Sequence, residues 1–253
     1  MDHDIEVADL GVRFGDLQVM ENVRLSIRSG EFITILGPSG CGKSTLLRVL
    51  AGLISPSSGS VRIGSRTRTQ AADFHLSMVF QKPLLLPWRT TLENVLLPVE
   101  IQRGRRGTNA SDVERARRML DLVRLGGFEN SYAFELSGGM QQRAAIARAL
   151  ISNPDVLLMD EPFGALDEFT REALNDEVLR IWQSAETKLK TVVMVTHSIS
   201  EAVAMSDRVF VFGPRPARLL EIVELPFEHP RNPDDAQRTE AVRRIREIVR
   251  KFS

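Results

Sequence analysis

Short, wholly apolar runs recur along the chain, separated by stretches in which apolar positions return every three or four residues. Phe32-Ile33-Thr34-Ile35-Leu36, Val156-Leu157-Leu158-Met159, Thr191 to Thr196 and Val209-Phe210-Val211-Phe212 are runs of the first kind. They predict strands covered on both faces, as in a parallel sheet, with 209–212 as the last strand. Residues 5–28 alternate instead: Ile5, Val7, Val12 and Phe14, then Val19, Val23, Leu25 and Ile27, with turns at Gly15-Asp16 and Ser29-Gly30. That is the period of half-buried antiparallel strands leading into the run at 32–36. Val61-Arg62-Ile63 and Met78-Val79-Phe80 read as further strands, with Ser55 to Gly59 as a turn.

Residues 91–153 change to a helical period. Thr91 is placed as the cap of a segment with Leu92, Val95, Leu96 and Val99 on one face. Arg103 to Gly107 is a basic break, and Ser111 with Glu114 predicts a capping box before Ala116, Met119, Leu120 and Val123. A further helix runs through Ala144, Ile146 and Leu150 and stops before Pro154. Beyond 160 the pattern predicts a helix through Leu174, Val178 and Ile181 and a short one closing from Ala202 to Asp207. Pro226, Pro230 and Pro233 mark an irregular connector, and a final helix from Asp234 or Asp235 carries Val242, Ile245, Val249 and Phe252 on one stripe with arginines opposite. Packing of that stripe on its own domain is favoured over a membrane surface. The class is α/β: a mainly parallel central sheet, an N-terminal antiparallel β subdomain and a helical insertion.

Composition narrows the setting. Thirty-three basic residues balance thirty-three acidic ones, so no long-range field recruits nucleic acid. No run approaches the roughly eighteen apolar residues of a membrane span, and Met1 to Glu6 lacks the features of a signal peptide. The single cysteine, Cys41, fits a reducing compartment. A cytoplasmic protein is expected, able to dock on a membrane partner.

The chemistry starts at Gly37-Pro38-Ser39-Gly40-Cys41-Gly42-Lys43-Ser44-Thr45, which fits G-x-x-x-x-G-K-[ST] between a strand and a helix. Glycines let the backbone wrap an anion, and the helix N-terminus adds partial positive charge. Lys43 is expected to reach the β- and γ-phosphates of a nucleoside triphosphate, and the Ser44 hydroxyl to ligate Mg²⁺. Cys41 reads as a small residue inside that loop, where a thiol reagent is expected to inactivate and MgATP to protect. Asp160 and Glu161 end the strand at 156–159, where ligands bind in such sheets. Asp160 fits the Mg²⁺-side carboxylate, which leaves Glu161 to orient and deprotonate a water aimed at the γ-phosphate. His197 ends the strand at 191–196, where it can contact that phosphate and the water. Leu136-Ser137-Gly138-Gly139-Met140-Gln141-Gln142 places a Ser-Gly-Gly turn at a helix start, a second anion-binding element with only one nucleotide loop to serve. Two features stay open on residues alone. Phe14 is either a core aromatic, the favoured reading, or a platform for a purine ring. Leu84, Leu85, Leu86 and Trp88, bracketed by Pro83 and Pro87, are either core or a docking patch.

These elements in this order resemble the ATP-binding subunit of an ABC transporter, a P-loop NTPase, over residues 5–213, with the helical signature subdomain at about 91–153 and a tail at 214–253. Gly37–Thr45 is similar to the Walker A loop, Gln81 to the Q-loop glutamine, Leu136–Gln142 to the signature motif, and Val156–Glu161 to Walker B. Ala165-Leu166-Asp167 looks like the D-loop and His197 like the switch histidine. Phe14 takes the place of the adenine-stacking aromatic, which reverses the core reading. Where the family has Asp after the histidine, this chain has Ser198, which puts a local contact in doubt. The resemblance implies ATP and Mg²⁺ as cofactors, the metal held by Ser44, Gln81 and Asp160. It also implies a head-to-tail dimer in which Ser137, Gly138, Gly139, Gln141 and Asp167 of one copy close on the ATP of the other, which accounts for the second anion-binding turn. Gln81 and the apolar loop to Trp88 are then expected to dock a membrane permease on the cytoplasmic face. Leu85 to Thr91, Phe163 to Asp167 and the Arg215–Pro233 tail look like the nitrate/sulfonate/taurine importer group. That group adds an extracytoplasmic solute-binding protein, and the chain leaves no room for the regulatory domain of sugar-importer ATPases.

Overall fold

The computed structural model describes residues 3–64, 66–67, 75–232 and 235–251. The chain forms two compact units, the first from residues 1–74, 158–161 and 190–253, the second from 75–157 and 162–189.

In the first unit the alternating N-terminal residues form β1 (His3–Phe14) and β2 (Leu17–Arg28). They pair antiparallel with Ile5 against Ile27 and Val7 against Leu25, so one apolar face is continuous across both strands. Gly15 takes φ 56° in the two-residue turn, a value that costs an L side chain energy. β4 (Ser58–Ile63) runs antiparallel along the other edge of β1 and pairs antiparallel with β5 (Arg66–Thr67). A second sheet holds the apolar runs. β3 (Phe32–Leu36) lies between β8 (Thr191–Thr196) and β9 (Arg208–Phe212), parallel to both, and every residue of the three strands is buried. β7 (Val156–Asp160) follows on the far side of β8. β3 runs straight into the glycine loop and α1 (Lys43–Ala51), so the loop opens at the carboxyl end of the parallel strands.

The strand at 209–212 is not the last. β10 (Leu219–Glu224) turns back antiparallel on β9, pairing Val223 with Val209. Only Val223 of its residues is fully buried, so its apolar signal is weak beside the prolines that follow. α6 (Ile199–Met205) and α7 (Ala236–Lys251) then pack together, with Ala202, Val203, Ala241, Ile245 and Ile248 buried in one cluster and Val242 and Val249 against it. The final stripe therefore packs on its own unit. Pro233, Asp234 and Phe252, also assigned to this tail from sequence, lie outside the described residues. Arg231 anchors the connector, donating to the carbonyls of Val203, Ser206, Leu225 and Phe227 while its guanidinium lies 4.2 Å over the Phe227 ring. Burial lowers its pKa to about 10, so it stays charged at neutral pH.

The second unit contains β6 (Leu76–Val79), α2 (Thr91–Arg103), α3 (Ala110–Leu122), α4 (Gly138–Leu150) and α5 (Glu168–Gln183). Two caps differ from expectation. Thr90, not Thr91, caps α2, in a box with Glu93; Thr91 is buried and donates to the Ser131 carbonyl instead. Asn109 caps α3 with Asp112, two residues before the box expected at Ser111 and Glu114. Asp112 is buried and also meets Arg103 at 3.1 Å, which fixes the earlier start; Glu114 pairs with Arg118 along the helix instead.

Candidate functional site

The glycine loop packs closely against β2 and β9 of the first unit. A Cβ on Gly37 would lie 2.9 Å from the Phe212 carbonyl, and one on Gly42, at φ 123°, would lie 2.8 Å from Val19 Cγ1. Neither position admits a side chain. Lys43 is 4% exposed, and its Nζ donates to the Gly37 and Pro38 carbonyls, both at 2.9 Å, so the cation lies inside the curve of the loop. Pro38, Ser39 and Gly40 are exposed along its rim, and Ser44 and Thr45 open α1. Cys41 is 2% exposed, and burial pushes its thiol up, only partly offset by the Lys43 charge. The buried sulfur is thus held toward its protonated form, and inactivation by a thiol reagent, with protection by MgATP, is the assay that reads its access.

The carboxyl ends of β7 and β8 face this loop. Ser44 Oγ donates to Asp160 Oδ1 at 2.7 Å. Asp160 is buried, and that burial pushes its carboxyl above the usual range, against the pull of Ser44, Arg48 and Lys43. Among the described residues no group of three or more acidic, histidine or cysteine side chains forms an all-protein cage for a metal. A hydroxyl and a poorly solvated carboxylate fit Mg²⁺, which keeps several waters and binds few carboxylates.

Glu161 sits at φ 44°, a left-handed conformation held by its N–H donating to the Val195 carbonyl at 2.9 Å. A non-glycine residue there carries backbone strain, and strain of this kind clusters at functional sites. The turn sends its carboxylate to within 4.0 Å of Lys43 Nζ and 3.4 Å of His197 Nδ1. His197 is exposed, while Ser198 caps α6 by accepting the Glu201 N–H at 3.3 Å. Serine thus supplies the cap that an aspartate would supply at the same position. Phe14, at the end of β1, is 49% exposed and belongs to no core, so the core reading made from its residue type alone fails.

The remaining sequence candidates lie in the second unit. Ser137 caps α4, accepting the Met140 N–H at 3.3 Å. A Cβ on Gly139 would lie 2.7 Å from Thr170 Cγ2, so close packing against α5 requires glycine. Gln141 Nε2 donates back to the Ala133 and Leu136 carbonyls at 2.8 and 3.2 Å, which orders the turn before Ser137 and leaves Gly138 exposed. Asp167 caps α5 and accepts from both the N–H and the hydroxyl of Thr170, bonds that hold its carboxyl below the usual range. Gln81 is exposed, as are Leu84 (57%) and Trp88 (71%), so this loop is not core. Arg148 fixes it by donating to the Pro83 and Leu84 carbonyls.

A glycine loop running into a helix, with a strand-end carboxylate bonded to its serine, defines a phosphate-loop nucleoside triphosphatase. Residues 20–164 match the ABC transporter family. An ABC transporter ATP-binding protein of Methanocaldococcus jannaschii, MJ0412, is 44% identical over 92% of this chain and 85% of its own. The aliphatic sulfonates import ATP-binding protein of Bacillus subtilis is 42% identical over 85% of this chain and 80% of its own. The taurine import ATP-binding protein of Jannaschia sp. is 39% identical over 88% and 82%. Among solved structures, a dimeric post-hydrolysis state of the ATP-binding cassette MJ0796 with ADP and phosphate superimposes with a TM-score of 0.75 at 33% identity, covering 88% of this chain and all of that one. The chain belongs to the ABC transporter ATP-binding family, and it is an ATPase.

Proposed function

We propose that the chain is the ATP-hydrolysing subunit of an importer for a small organic anion of the sulfonate or taurine type. The observation that carries the mechanism is the gathering of Lys43, Asp160, Glu161 and His197 around one loop. Lys43 gives up its loop carbonyls to the β- and γ-phosphates. Ser44 and Asp160, with Gln81, would hold Mg²⁺, which would neutralise phosphate charge. Phe14 stacks on the adenine. Glu161 takes a proton from the attacking water as its oxygen bonds to the γ-phosphorus, and the bond to the ADP oxygen breaks. His197, against the Glu161 carboxylate, orients that water and the γ-phosphate.

Ser137, Gly138, Gly139, Gln141 and Asp167 complete the site from a second copy, arranged head to tail, so that ATP binding closes the dimer and product release opens it. Support comes from Ser137 and Gly138, exposed at the N-terminus of α4, where a helix start favours an anion. Gln81 to Trp88 docks the transmembrane permease, beside a groove of about 500 Å³ lined by Met78, Phe80, Leu84, Leu97 and Ile101. The subunit then sits on the cytoplasmic face of the membrane, and a solute-binding protein outside delivers substrate to the permease. Among the described residues no helix is long and apolar enough to cross a membrane.

Affinity purification of the chain from gently solubilised native membranes tests this reading. A stoichiometric polytopic membrane protein is expected, lost when Leu84 and Trp88 are both changed to Ser. Recovery of soluble partners alone contradicts the transport role and leaves the ATPase chemistry in place.

A further inference from the structure

One cation beside the phosphate loop lies outside its motif. Arg215, in the turn between β9 and β10, donates from Nη2 to the Gly40 carbonyl at 2.5 Å. The turn that carries it is tied down on two sides. Gly213 N–H bonds the Arg218 carbonyl at 3.1 Å across the hairpin, and Ala217 exchanges backbone hydrogen bonds with β2, donating to Val19 at 2.8 Å and accepting from Glu21 at 3.3 Å. Arg218 adds an ion pair to Glu21. Val19 is the residue packed against Gly42, and the Phe212 carbonyl at the end of β9 is the atom packed against Gly37. β2 and the β9–β10 hairpin thus grip the loop at both ends, and Arg215 reaches over its middle.

We propose that Arg215 is a positioning residue of the nucleotide site: by holding the Gly40 carbonyl outward, it sets the loop in the shape that binds phosphate. The carbonyl of Gly40 and the N–H of Cys41 share one peptide plane and point in opposite directions. Fixing the carbonyl on the outer side therefore fixes the direction of the Cys41 N–H, which donates to the Pro38 carbonyl at 3.4 Å and so sets the curve of the loop from Pro38 to Cys41. Gly40 takes φ 73° and has no Cβ, so its own sterics restrain the backbone little and an external tether has most to do there. The guanidinium has five donors and spends one on Gly40; its side chain is otherwise exposed at the loop rim, where its charge also favours an approaching polyphosphate. This inference rests on the nucleotide-binding role of the loop and extends it to a residue about 175 positions away in sequence.

The test is equilibrium binding of a fluorescent ATP analogue with Mg²⁺, together with steady-state hydrolysis and melting temperature, on the full chain. Arg215→Met is expected to raise Kd about tenfold, the scale of one charge-assisted hydrogen bond, with kcat at saturating ATP within about twofold of the parent. Arg215→Lys, which keeps the charge and one donor, is expected to recover most of the affinity. An unchanged Kd in Arg215→Met overturns the proposal. So does an equal loss in both variants that follows a lowered melting temperature, since that is the signature of a structural role alone. Lys43→Ala serves as the reference. If it binds normally, the assignment of the loop fails and the proposal with it; if it loses binding while Arg215→Met does not, only the role of Arg215 fails.

Discussion

Asp160 shows a site working against the stability of its own fold. Its carboxyl is buried with one hydroxyl partner, and desolvation raises its pKa above 3.8. A raised carboxyl pKa favours the folded state fully at pH below the unfolded value, and that stabilisation is lost as pH rises through the folded value. At neutral pH the nucleotide-free protein therefore carries a buried, poorly solvated charge that a bound cation would offset. Asp160→Asn keeps the shape and the acceptor for Ser44 and removes the charge. It should melt higher than the parent near neutral pH, by on the order of 2–4 °C for each kcal/mol recovered, with the gain shrinking as pH falls toward 4. The same variant should lose Mg²⁺-dependent hydrolysis. Thermal melts from pH 4 to 8 beside an activity assay check both; an Asn variant that melts lower at every pH contradicts the argument.

Motif spacing pointed to Lys43 and Ser44, and the end of an apolar strand pointed to Asp160 and Glu161, because close-packed phosphate chemistry allows few residue types at those positions. The strain at Glu161 and the seating of Lys43 on its own loop carbonyls were not legible, since both are backbone facts fixed by distant strands. Nor was Arg231, a lone arginine in a proline-rich stretch whose importance comes from the carbonyls it gathers.

At the scale of elements, the apolar runs found the buried strands because a strand covered on both faces has no polar period to confuse. β10 was missed for the opposite reason: it is an edge strand with mostly half-buried side chains. Cap positions slipped by one or two residues wherever two polar residues competed for the same role. At α3 Asn109 and Ser111 are both good caps, and the buried contacts of Asp112 decide between them. Asn109→Ala should therefore cost about 1 kcal/mol, the usual value of a lost cap, whereas Ser111→Ala, on the exposed first turn, should change little. Urea unfolding of the two variants checks this, and equal losses would put the cap elsewhere. Ser198 makes the same point in reverse: a serine where the resemblance expects aspartate caps α6 in this chain.

For the whole molecule the central claim is that one chain holds half of each of two sites. In the proposed arrangement its loop, carboxylates and histidine form one half, and the Ser137-Gly138-Gly139 turn completes the site of a second copy. Sequence raised this as a puzzle of one nucleotide loop and two anion-binding turns. The decisive measurement is the solution mass by light scattering of Glu161→Gln, which should bind MgATP yet hydrolyse it at least ~100-fold more slowly and so stay in the bound state. The account predicts that MgATP doubles the mass from 28.3 kDa, and that Ser137→Arg in the same background keeps it single. A mass that stays single with MgATP bound, or a dimer indifferent to Ser137, would contradict it.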